Sequence, residues 1–406
     1  MTDLDLVPTG MVAGGAALAR DEGGRVVFVD GALPGERVVA RVTDERKDFA
    51  RAVTVAVREA SPDRVAPPCV ALAAGCGGCT WQHVAAEAQA RLKAGIVVDA
   101  LRRIGRLPEP PSPTTVSLAG PALRTTAHLA VTADGRAGHR RRGTDDAAGA
   151  VATDACLAVH PLLEELIIDG RYRGAGEVLL RVAVASGERL VQVRAGAADV
   201  RVPSDVVVVA QGDSRPACVH EDVAGRHFRV SAGSFFQPGP VAAEGLVAAV
   251  SAAVGESLPA GGGGHLVDAY AGVGLFASVL GATRGARVTA VESDRAASAD
   301  ARVNLADLDA KVVVSEVGRW KPTGTRARSV DVVVADPSRP GLGRPGVAAL
   351  TALDAPRLVL VSCDPASLGR DVALLAAAGY RLVSVAMVDA FPHTFHVETV
   401  SRFDRA

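Results

Sequence analysis

The chain has 406 residues, of which 49% are hydrophobic and 3% aromatic, and its net charge at pH 7 is −1. This length predicts two or three domains, and the hydrophobic content excludes a disordered chain. No apolar run reaches the roughly 20 residues of a membrane span, and the first residues lack the pattern of a secretory signal. We therefore expect a cytoplasmic protein with no membrane partner.

The first 58 residues alternate short β-branched runs with turns that contain glycine and proline. The runs cover residues 26–29, 38–42 and 52–57. Strands of this length, separated by such turns, are typical of a small β-barrel. The dipeptide Pro67-Pro68 then breaks the pattern, so residues 1–58 are predicted to form the first domain.

Residues 59–230 are predicted to form a central α+β domain. Apolar side chains three and four residues apart predict a helix over about residues 84–104, and a proline-rich linker covers residues 108–113. Between Arg64 and Arg142 there are 11 Lys and Arg against 4 Asp and Glu. This basic surplus would suit a phosphate backbone, although charge alone is equally consistent with an ordinary solvated surface.

Four of the six cysteines form a pattern that is typical of a metal centre. Three lie close together, at Cys69, Cys76 and Cys79, and Cys156 follows at a distance. In a cytoplasmic chain such clustering favours metal binding over disulfides. Four thiolates suit zinc or an iron–sulfur cluster equally by count, whereas three near ligands and one remote ligand are more typical of a cluster. Cys218 has no motif and is expected to be a small core residue.

From residue 231 onward the order is strand, glycine loop, helix and strand, which predicts a doubly wound α/β domain over residues 231–406. Gly272 follows one such strand, and Glu292 ends the next strand, where a carboxylate can hold two ribose hydroxyls. This pattern fits either S-adenosylmethionine or NAD(P). Asp268, just before the loop, favours S-adenosylmethionine, because a carboxylate suits a sulfonium cation and crowds a pyrophosphate.

Two reactive side chains follow late strands of this domain. Cys363 ends the apolar run of residues 358–361 and so is expected to face the cleft, although a lone cysteine is more often a buried structural residue. Glu398 lies between Val397 and Val400, so partial desolvation is expected to raise its pKa towards that of a useful base. The alternative for Glu398 is a structural ion pair.

A methyl donor, a thiol and a carboxylate together suit one reaction. The C5 carbon of a pyrimidine is a poor nucleophile until a thiolate adds at C6 and converts the ring to an enolate. After C5 has been methylated, a base must remove the C5 proton so that the thiol can leave. Cys363 and Glu398 are the candidates for these two tasks, with Asp336 positioning the base or the cofactor.

These motifs resemble those of the RNA 5-methyluridine (uracil-C5) methyltransferase family over nearly the whole chain. The segment Ser362-Cys363-Asp364-Pro365 is similar to the nucleophile motif Ser-Cys-Asn-Pro, and His396-Val397-Glu398 is similar to the base motif. The resemblance implies a TRAM domain, an RNA-binding barrel, over residues 1–58 and a Rossmann-like class I methyltransferase domain at the C-terminus. It also implies that five residues contact the cofactor: Gln237, Tyr270, Gly272, Glu292 and Asp336.

The resemblance further implies a 4Fe-4S cluster on the four cysteines and a single-stranded or loop RNA as substrate, with ribosomal RNA favoured over transfer RNA. We expect a monomer. The chain departs from the family pattern at Ala271 (usually Cys), Ser338 (usually Pro) and Asp364 (usually Asn). Two alternatives remain at this stage: an RNA-binding iron–sulfur protein with a vestigial catalytic domain, and an NAD(P)-dependent oxidoreductase.

Overall fold

The computed structural model describes residues 2–143, 149–196, 199–213, 217–322 and 330–406. These residues form sheets of six, six and eight strands and two further two-stranded pairs. Among the helices in these ranges, none combines the length and the apolar content that a membrane span requires.

The N-terminal sheet buries alternate side chains, as expected for strands with one face on a core. Its strands are β1 (Asp3–Leu6), β2 (Gly10–Met11), β3 (Ala17–Arg20), β4 (Val26–Asp30), β5 (Arg37–Glu45) and β6 (Phe49–Glu59). They are ordered β1-β5-β6-β4-β3-β2, and only β4 and β6 pair in parallel. Trp81 completes this core from outside the sheet, and its indole N–H donates to the Gly15 carbonyl at 3.1 Å.

The predicted helix over residues 84–104 is confirmed as α1 (Ala86–Arg103), and it connects two cores. Ile96 packs into the core of the N-terminal sheet, whereas Val97 and Leu101 pack into the core of the C-terminal sheet. The next strand, β7 (Thr114–Val116), adds to the edge of the C-terminal sheet. This segment therefore belongs structurally with both ends of the chain.

A second sheet, ordered β10-β9-β8-β12-β13-β15, forms the middle of the protein. The elements of this region are β8 (Thr126–Val131), β9 (Ala137–Arg140), β10 (Ala150–Ala152), α2 (Pro161–Ile168), β11 (Arg171–Arg173), β12 (Glu177–Val182), β13 (Arg189–Ala195), β14 (Asp199–Arg201) and β15 (Val207–Ala210). Helix α2 packs Leu163, Leu166 and Ile167 into the core of this sheet. The hairpin of β16 (Cys218–Val223) and β17 (Arg226–Ser231) follows and packs Phe228 into the C-terminal core.

The C-terminal sheet has the order β20-β19-β18-β21-β22-β24-β23-β7, and its strands are parallel apart from β24. Its elements are α3 (Pro240–Val254), β18 (His265–Ala269), α4 (Leu275–Arg284), β19 (Arg287–Glu292), α5 (Arg295–Asn304), β20 (Ala310–Val314), β21 (Val332–Ala335), α6 (Gly343–Thr351), β22 (Arg357–Ser362), α7 (Pro365–Ala377), β23 (Tyr380–Val388) and β24 (Glu398–Arg405). The predicted doubly wound α/β class is confirmed.

Helices cover both faces of this sheet, which explains why its strands are continuously apolar. Helices α3, α4 and α5 share one core with the sheet, and α1, α6 and α7 share the other. The strand order reverses between β18 and β21, and ligands of open α/β sheets bind at the carboxyl ends of the strands beside such a reversal. Residues that directly follow β18, β21 and β22 are thereby brought to one crevice.

Candidate active site

A cavity of about 860 Å³ lies at the carboxyl ends of the parallel strands. One wall consists of the segments that follow β18, β19, β21 and β22. Other lining residues are far away in sequence. The cysteine loop contributes Gly77, Gly78 and Thr80, the second sheet contributes His128 and His139, and Arg124 precedes that sheet. The cavity includes all seven predicted catalytic and cofactor residues: Gln237, Tyr270, Gly272, Glu292, Asp336, Cys363 and Glu398.

The glycine loop forms a cradle between β18 and α4. Tyr270, Gly272 and Gly274 all have positive φ angles, of 62°, 55° and 89°. The Gly272 N–H donates to Glu292 Oε2 at 2.8 Å, and the Asp294 N–H donates to Glu292 Oε1 at 2.7 Å. The acid at the end of β19 is therefore fixed beside the loop, in the place where it can hold a ribose. A second, smaller cavity of about 230 Å³ adjoins Tyr270 and Glu316.

Asp268 plays a different part from the one predicted. It is fully buried beneath the loop and is not among the residues that line the cavity. Its Oδ2 accepts from the Ala277 N–H of α4 at 2.8 Å. Burial, together with nearby Asp336 and Glu292, raises its pKa to about 8. Asp268 therefore secures the start of α4 from beneath the loop and does not line the cavity.

Gln237 and Asp336 meet across the cavity. The Gln237 amide Nε2 donates to Asp336 Oδ2 at 3.2 Å, and the Asp336 N–H donates to the Ala269 carbonyl at 3.2 Å. Desolvation raises the pKa of Asp336 to about 7, although the Gln237 hydrogen bond acts in the opposite direction. This pair places an amide and an easily protonated carboxyl group between the glycine loop and Cys363.

Cys363 and Glu398 are neighbours because of strand pairing. Antiparallel strands β22 and β24 pair Ser362 with Thr399, so Cys363 and Glu398 come next in register. The Thr399 hydroxyl donates to the Ser362 carbonyl at 3.0 Å and secures this end of the pair. The predicted nucleophile and base are thus adjacent at the bottom of the cavity.

The electrostatic environment raises the pKa of both groups. Burial raises the pKa of Cys363 to about 12, with further contributions from Glu398 and Asp336, while the Arg339 guanidinium lowers it. Burial also raises the pKa of Glu398 well above its ordinary value, and Asp336 adds to the effect. A cation bound in the cavity would stabilise the anionic forms of these groups.

Asp364, the departure beside the nucleophile, caps a helix. Its Oδ1 accepts from the Ser367 N–H at 2.7 Å and its backbone is extended, as an N-cap residue requires. Asparagine makes the same cap equally well, so the substitution preserves this interaction.

The contact between helix α1 and the loop of residues 389–397 was not predicted from the sequence. This loop leads into Glu398 and contributes Phe391, Thr394 and His396 to the cavity. Helix α1 holds this loop. The fully buried Lys93 ammonium donates to Asp389 Oδ1 at 2.6 Å and to the Phe391 carbonyl at 2.9 Å. Gln89 Oε1 accepts from the His393 N–H at 2.7 Å. Lys93 and Gln89 are polar residues on an otherwise apolar helix face, and this pattern could have indicated such a contact.

Cys76 and Cys156 each lie near two others of the four clustered cysteines. The Cys76 thiol interacts electrostatically with those of Cys69 and Cys79, and the Cys156 thiol with those of Cys79 and Cys76. Burial raises the pKa of Cys156 to about 11. The donor chemistry suits a metal centre. In the part of the chain described, however, no group of three or more Cys, His, Asp or Glu side chains is arranged to hold a metal ion.

Comparison with known proteins supports the motifs. The TRAM domain model matches residues 11–55. An uncharacterized RNA methyltransferase of Streptomyces avermitilis is 38% identical over 98% of this chain and 98% of its own length. The 23S rRNA (uracil(1939)-C(5))-methyltransferase RlmD of Methylococcus capsulatus is 31% identical over 94% of this chain and 93% of its own.

The fold is also shared with a solved structure. The Pyrococcus abyssi tRNA (uracil-54, C5)-methyltransferase, in complex with S-adenosyl-L-homocysteine, matches with a TM-score of 0.74 at 23% identity. The match covers 98% of this chain and 99% of that one. Together with the full-length relatives, this confirms the fold and the family that the motifs predicted. The chain belongs to the S-adenosylmethionine-dependent RNA (uracil-C5) methyltransferase family.

Proposed function

We propose that the protein transfers a methyl group from S-adenosylmethionine to C5 of a uridine in RNA, through a covalent bond between Cys363 and C6 of the uracil ring. The observation that carries the proposal is the placement of Cys363 and Glu398 side by side at the bottom of one cavity. Gln237, Gly272 and Glu292 border the same cavity and are the residues proposed to hold the donor.

The first task of the chain is to make and direct a thiolate. Cys363 gives its proton to solvent water, and its sulfur adds to C6, which moves electron density through C5 towards the C4 oxygen. S-adenosylmethionine, when bound, supplies the electrophilic methyl group and a positive charge. Burial raises the pKa of this thiol, and Glu398 and Asp336 add to the effect, so a cation among these groups favours the thiolate.

The second task is to remove the C5 proton after methylation. Glu398 takes this proton, the C5–C6 double bond forms again, and the bond between Sγ and C6 breaks. The raised pKa of Glu398 suits a base, because its conjugate acid holds the proton firmly. Asp336, hydrogen-bonded to Gln237, is placed to orient the ring.

The proposed substrate is a single-stranded or loop RNA, because C5 and C6 of a stacked, paired uracil cannot reach a thiol at the bottom of a cavity. Arg124 lines the same cavity and supplies a cation that suits a phosphate. Ribosomal RNA is favoured over transfer RNA, since the Methylococcus capsulatus relative named above carries a 23S rRNA activity in its name. We also propose that the protein acts as a cytoplasmic monomer, which light scattering and cell fractionation test.

We further propose that Cys69, Cys76, Cys79 and Cys156 hold a 4Fe-4S cluster that connects the cysteine loop to the second sheet. The electrostatic contacts of the Cys76 and Cys156 thiols with neighbouring cysteines support this proposal, and zinc is the competing occupant. Measurement of iron, acid-labile sulfide and zinc in anaerobically purified protein decides between them. Zinc without sulfide, or neither metal, contradicts the cluster.

The activity is tested by incubating the protein with labelled S-adenosylmethionine and either ribosomal or transfer RNA, followed by nucleoside mass spectrometry. Label in 5-methyluridine from ribosomal RNA is expected. Binding of RNA without label would support the alternative of an RNA-binding protein with a vestigial catalytic domain. Family membership leaves no support for the NAD(P)-dependent oxidoreductase alternative. Mapping the modification lost from a deletion strain identifies the uridine.

A further inference from the structure

The segment that carries Gln237 has no helix or strand of its own. Residues 232–239 connect β17 to α3 through turns and irregular backbone. Its end next to Gln237 is held by Thr125, whose N–H donates to the Pro238 carbonyl at 2.6 Å. The turn at its beginning is held by side chains of β12 and α5 that lie outside the cavity.

Arg181 of β12 holds both ends of the turn that begins this segment. Its Nη1 donates to the Ser231 carbonyl at 2.7 Å, and its Nη2 donates to the Ser234 carbonyl at 2.6 Å. Only 4% of Arg181 is exposed. A planar guanidinium offers donors at fixed spacing, so it fixes the separation of two carbonyls in a way that lysine cannot.

Asp300 of α5 holds the same turn from the other side. Its carboxylate accepts from the Ser231 N–H at 2.8 Å, from the Ser231 hydroxyl at 2.7 Å and from the Ser234 hydroxyl at 2.6 Å. Arg229 Nη1 lies 3.1 Å from Asp300 Oδ1 and balances the buried charge. The turn is thus held by a cation at its carbonyls and by an anion at its donors.

Asn304, one turn further along α5, reaches the glycine loop on the far side of the proposed donor site. Its Nδ2 donates to the Val273 carbonyl in the glycine loop at 2.9 Å and to the Arg229 carbonyl at 3.1 Å. Its Oδ1 accepts from the Arg229 N–H at 2.8 Å. Residues four apart lie on one face of a helix. The single rigid helix α5 therefore contacts both the turn of residues 231–234 and the glycine loop.

We propose that Arg181, Asp300 and Asn304 are positioning residues that set the separation between the Gln237 segment and the glycine loop, and thereby the affinity for the methyl donor. None of the three lines the cavity. The inference rests on the proposed function, because it takes the space between the Gln237 segment and the glycine loop as the donor site. It assigns a role in donor binding to side chains that lie outside that site.

The test measures binding of S-adenosylhomocysteine to the purified full-length protein by calorimetry. Asn304→Asp keeps the shape but replaces the donor to Val273 by a second acceptor, and Arg181→Lys cannot span two carbonyls. One lost buried hydrogen bond corresponds to about a tenfold higher Kd, which is expected for Arg181→Lys. Asn304→Asp loses two bonds, to the Val273 and Arg229 carbonyls, and is expected to raise the Kd by about tenfold or more. Steady-state kinetics should show a higher KM for the donor, while kcat at saturating donor and the KM for RNA stay within about twofold.

Two further variants keep the test decisive. Ser234→Ala removes only one hydroxyl and is expected to raise the Kd about threefold without unfolding the protein. Asp307→Asn is the matched control. It breaks the exposed ion pair with Arg226, which joins the same hairpin to the end of α5. This pair contacts neither the Gln237 segment nor the glycine loop. Its Kd should equal that of the parent.

The possible results separate the two levels of the hypothesis. If the parent binds S-adenosylhomocysteine but Asn304→Asp, Arg181→Lys and Ser234→Ala all bind it equally well, the positioning role is wrong and the donor site stands. An equal loss in Asp307→Asn also overturns the positioning role, because general loosening of the hairpin would then explain the effect. A folded parent that does not bind S-adenosylhomocysteine overturns both.

Discussion

Cys363 directly follows β22 and Glu398 begins the antiparallel strand β24, so both lie one position beyond the pair of Ser362 and Thr399. Directly opposed residues of an antiparallel pair project to the same side of the sheet. The nucleophile and the base therefore meet because the last strand of the sheet runs against the others. The pairing register of these strands brings together two residues that are far apart in sequence.

The reactivity of the Cys363 thiol is expected to follow the charges around it. In the protein without ligands, alkylation of Cys363 by iodoacetamide should be slow at pH 7 and rise about tenfold per pH unit up to pH 9, since only the thiolate reacts and its pKa is about 12. Asp336→Asn should accelerate alkylation at pH 8 by removing a carboxylate that raises this pKa. Peptide mass spectrometry follows the site.

Asp364→Asn is the matched control for this experiment, because the carboxylate it removes is turned towards the Ser367 N–H. Its alkylation rate should stay within about twofold of the parent, well below the effect of a change at a direct electrostatic partner. A rate for Asp336→Asn equal to or below that of the parent would contradict the assigned environment.

The contact between Lys93 and Asp389 is expected to hold the loop that leads into Glu398. Lys93→Met removes a fully buried ammonium and leaves Asp389 without its partner. Chemical denaturation should show a loss of about 2–3 kcal/mol, because removal of one member of a buried pair leaves an uncompensated charge. The kcat should also fall about tenfold, since a displaced catalytic group loses rate steeply.

Arg91→Met provides the comparison for Lys93→Met on the same helix. Arg91 pairs with Asp63 at the surface, where 62% of the arginine side chain is exposed. Such pairs contribute about 0–1 kcal/mol, so stability and kcat should change little. If the two variants are equally active, the loop does not depend on Lys93 for its position.

The cap on α7 explains how the chain tolerates an acid beside its nucleophile. Asp364→Asn should change the free energy of unfolding by less than about 0.5 kcal/mol, whereas Asp364→Ala should cost about 1 kcal/mol because the bond to Ser367 is lost. Thermal and urea unfolding measure both. A cost for the asparagine variant equal to that of alanine would show that the charge, and not the cap, is what the position requires.

The sequence predicted the residues that directly follow buried parallel strands, because an apolar run that ends in a polar turn is a local pattern. Cys363 and Asp336 follow β22 and β21 in this way, and Gly272 follows β18. Asp268 looked equivalent, but it points beneath the loop, and strand alternation within a fully buried run gives no sign of which face a side chain takes. Only the three-dimensional structure shows that Asp268 faces away from the cavity.

The packing between elements that are far apart in the chain could not be predicted from the sequence either. Residues 59–230 were predicted to form one central domain, a division that stays a prediction. In the structure α1 contributes to the cores at both ends of the chain, and β7 pairs with β23. The periodicity of α1 predicts an apolar face but not the surface that covers it. Gly78 and Arg124 likewise reach the cavity only through tertiary packing.

The covalent step is tested most directly with the Glu398→Gln variant, incubated with RNA and S-adenosylmethionine and run on a denaturing gel. Without the base, the methylated ring cannot release Cys363, so we expect a slowly migrating protein–RNA band that accumulates. Adding Cys363→Ala to the same protein should abolish the band. A Glu398→Gln protein that gives no such band, or a band that persists without Cys363, would contradict the assignment of nucleophile and base.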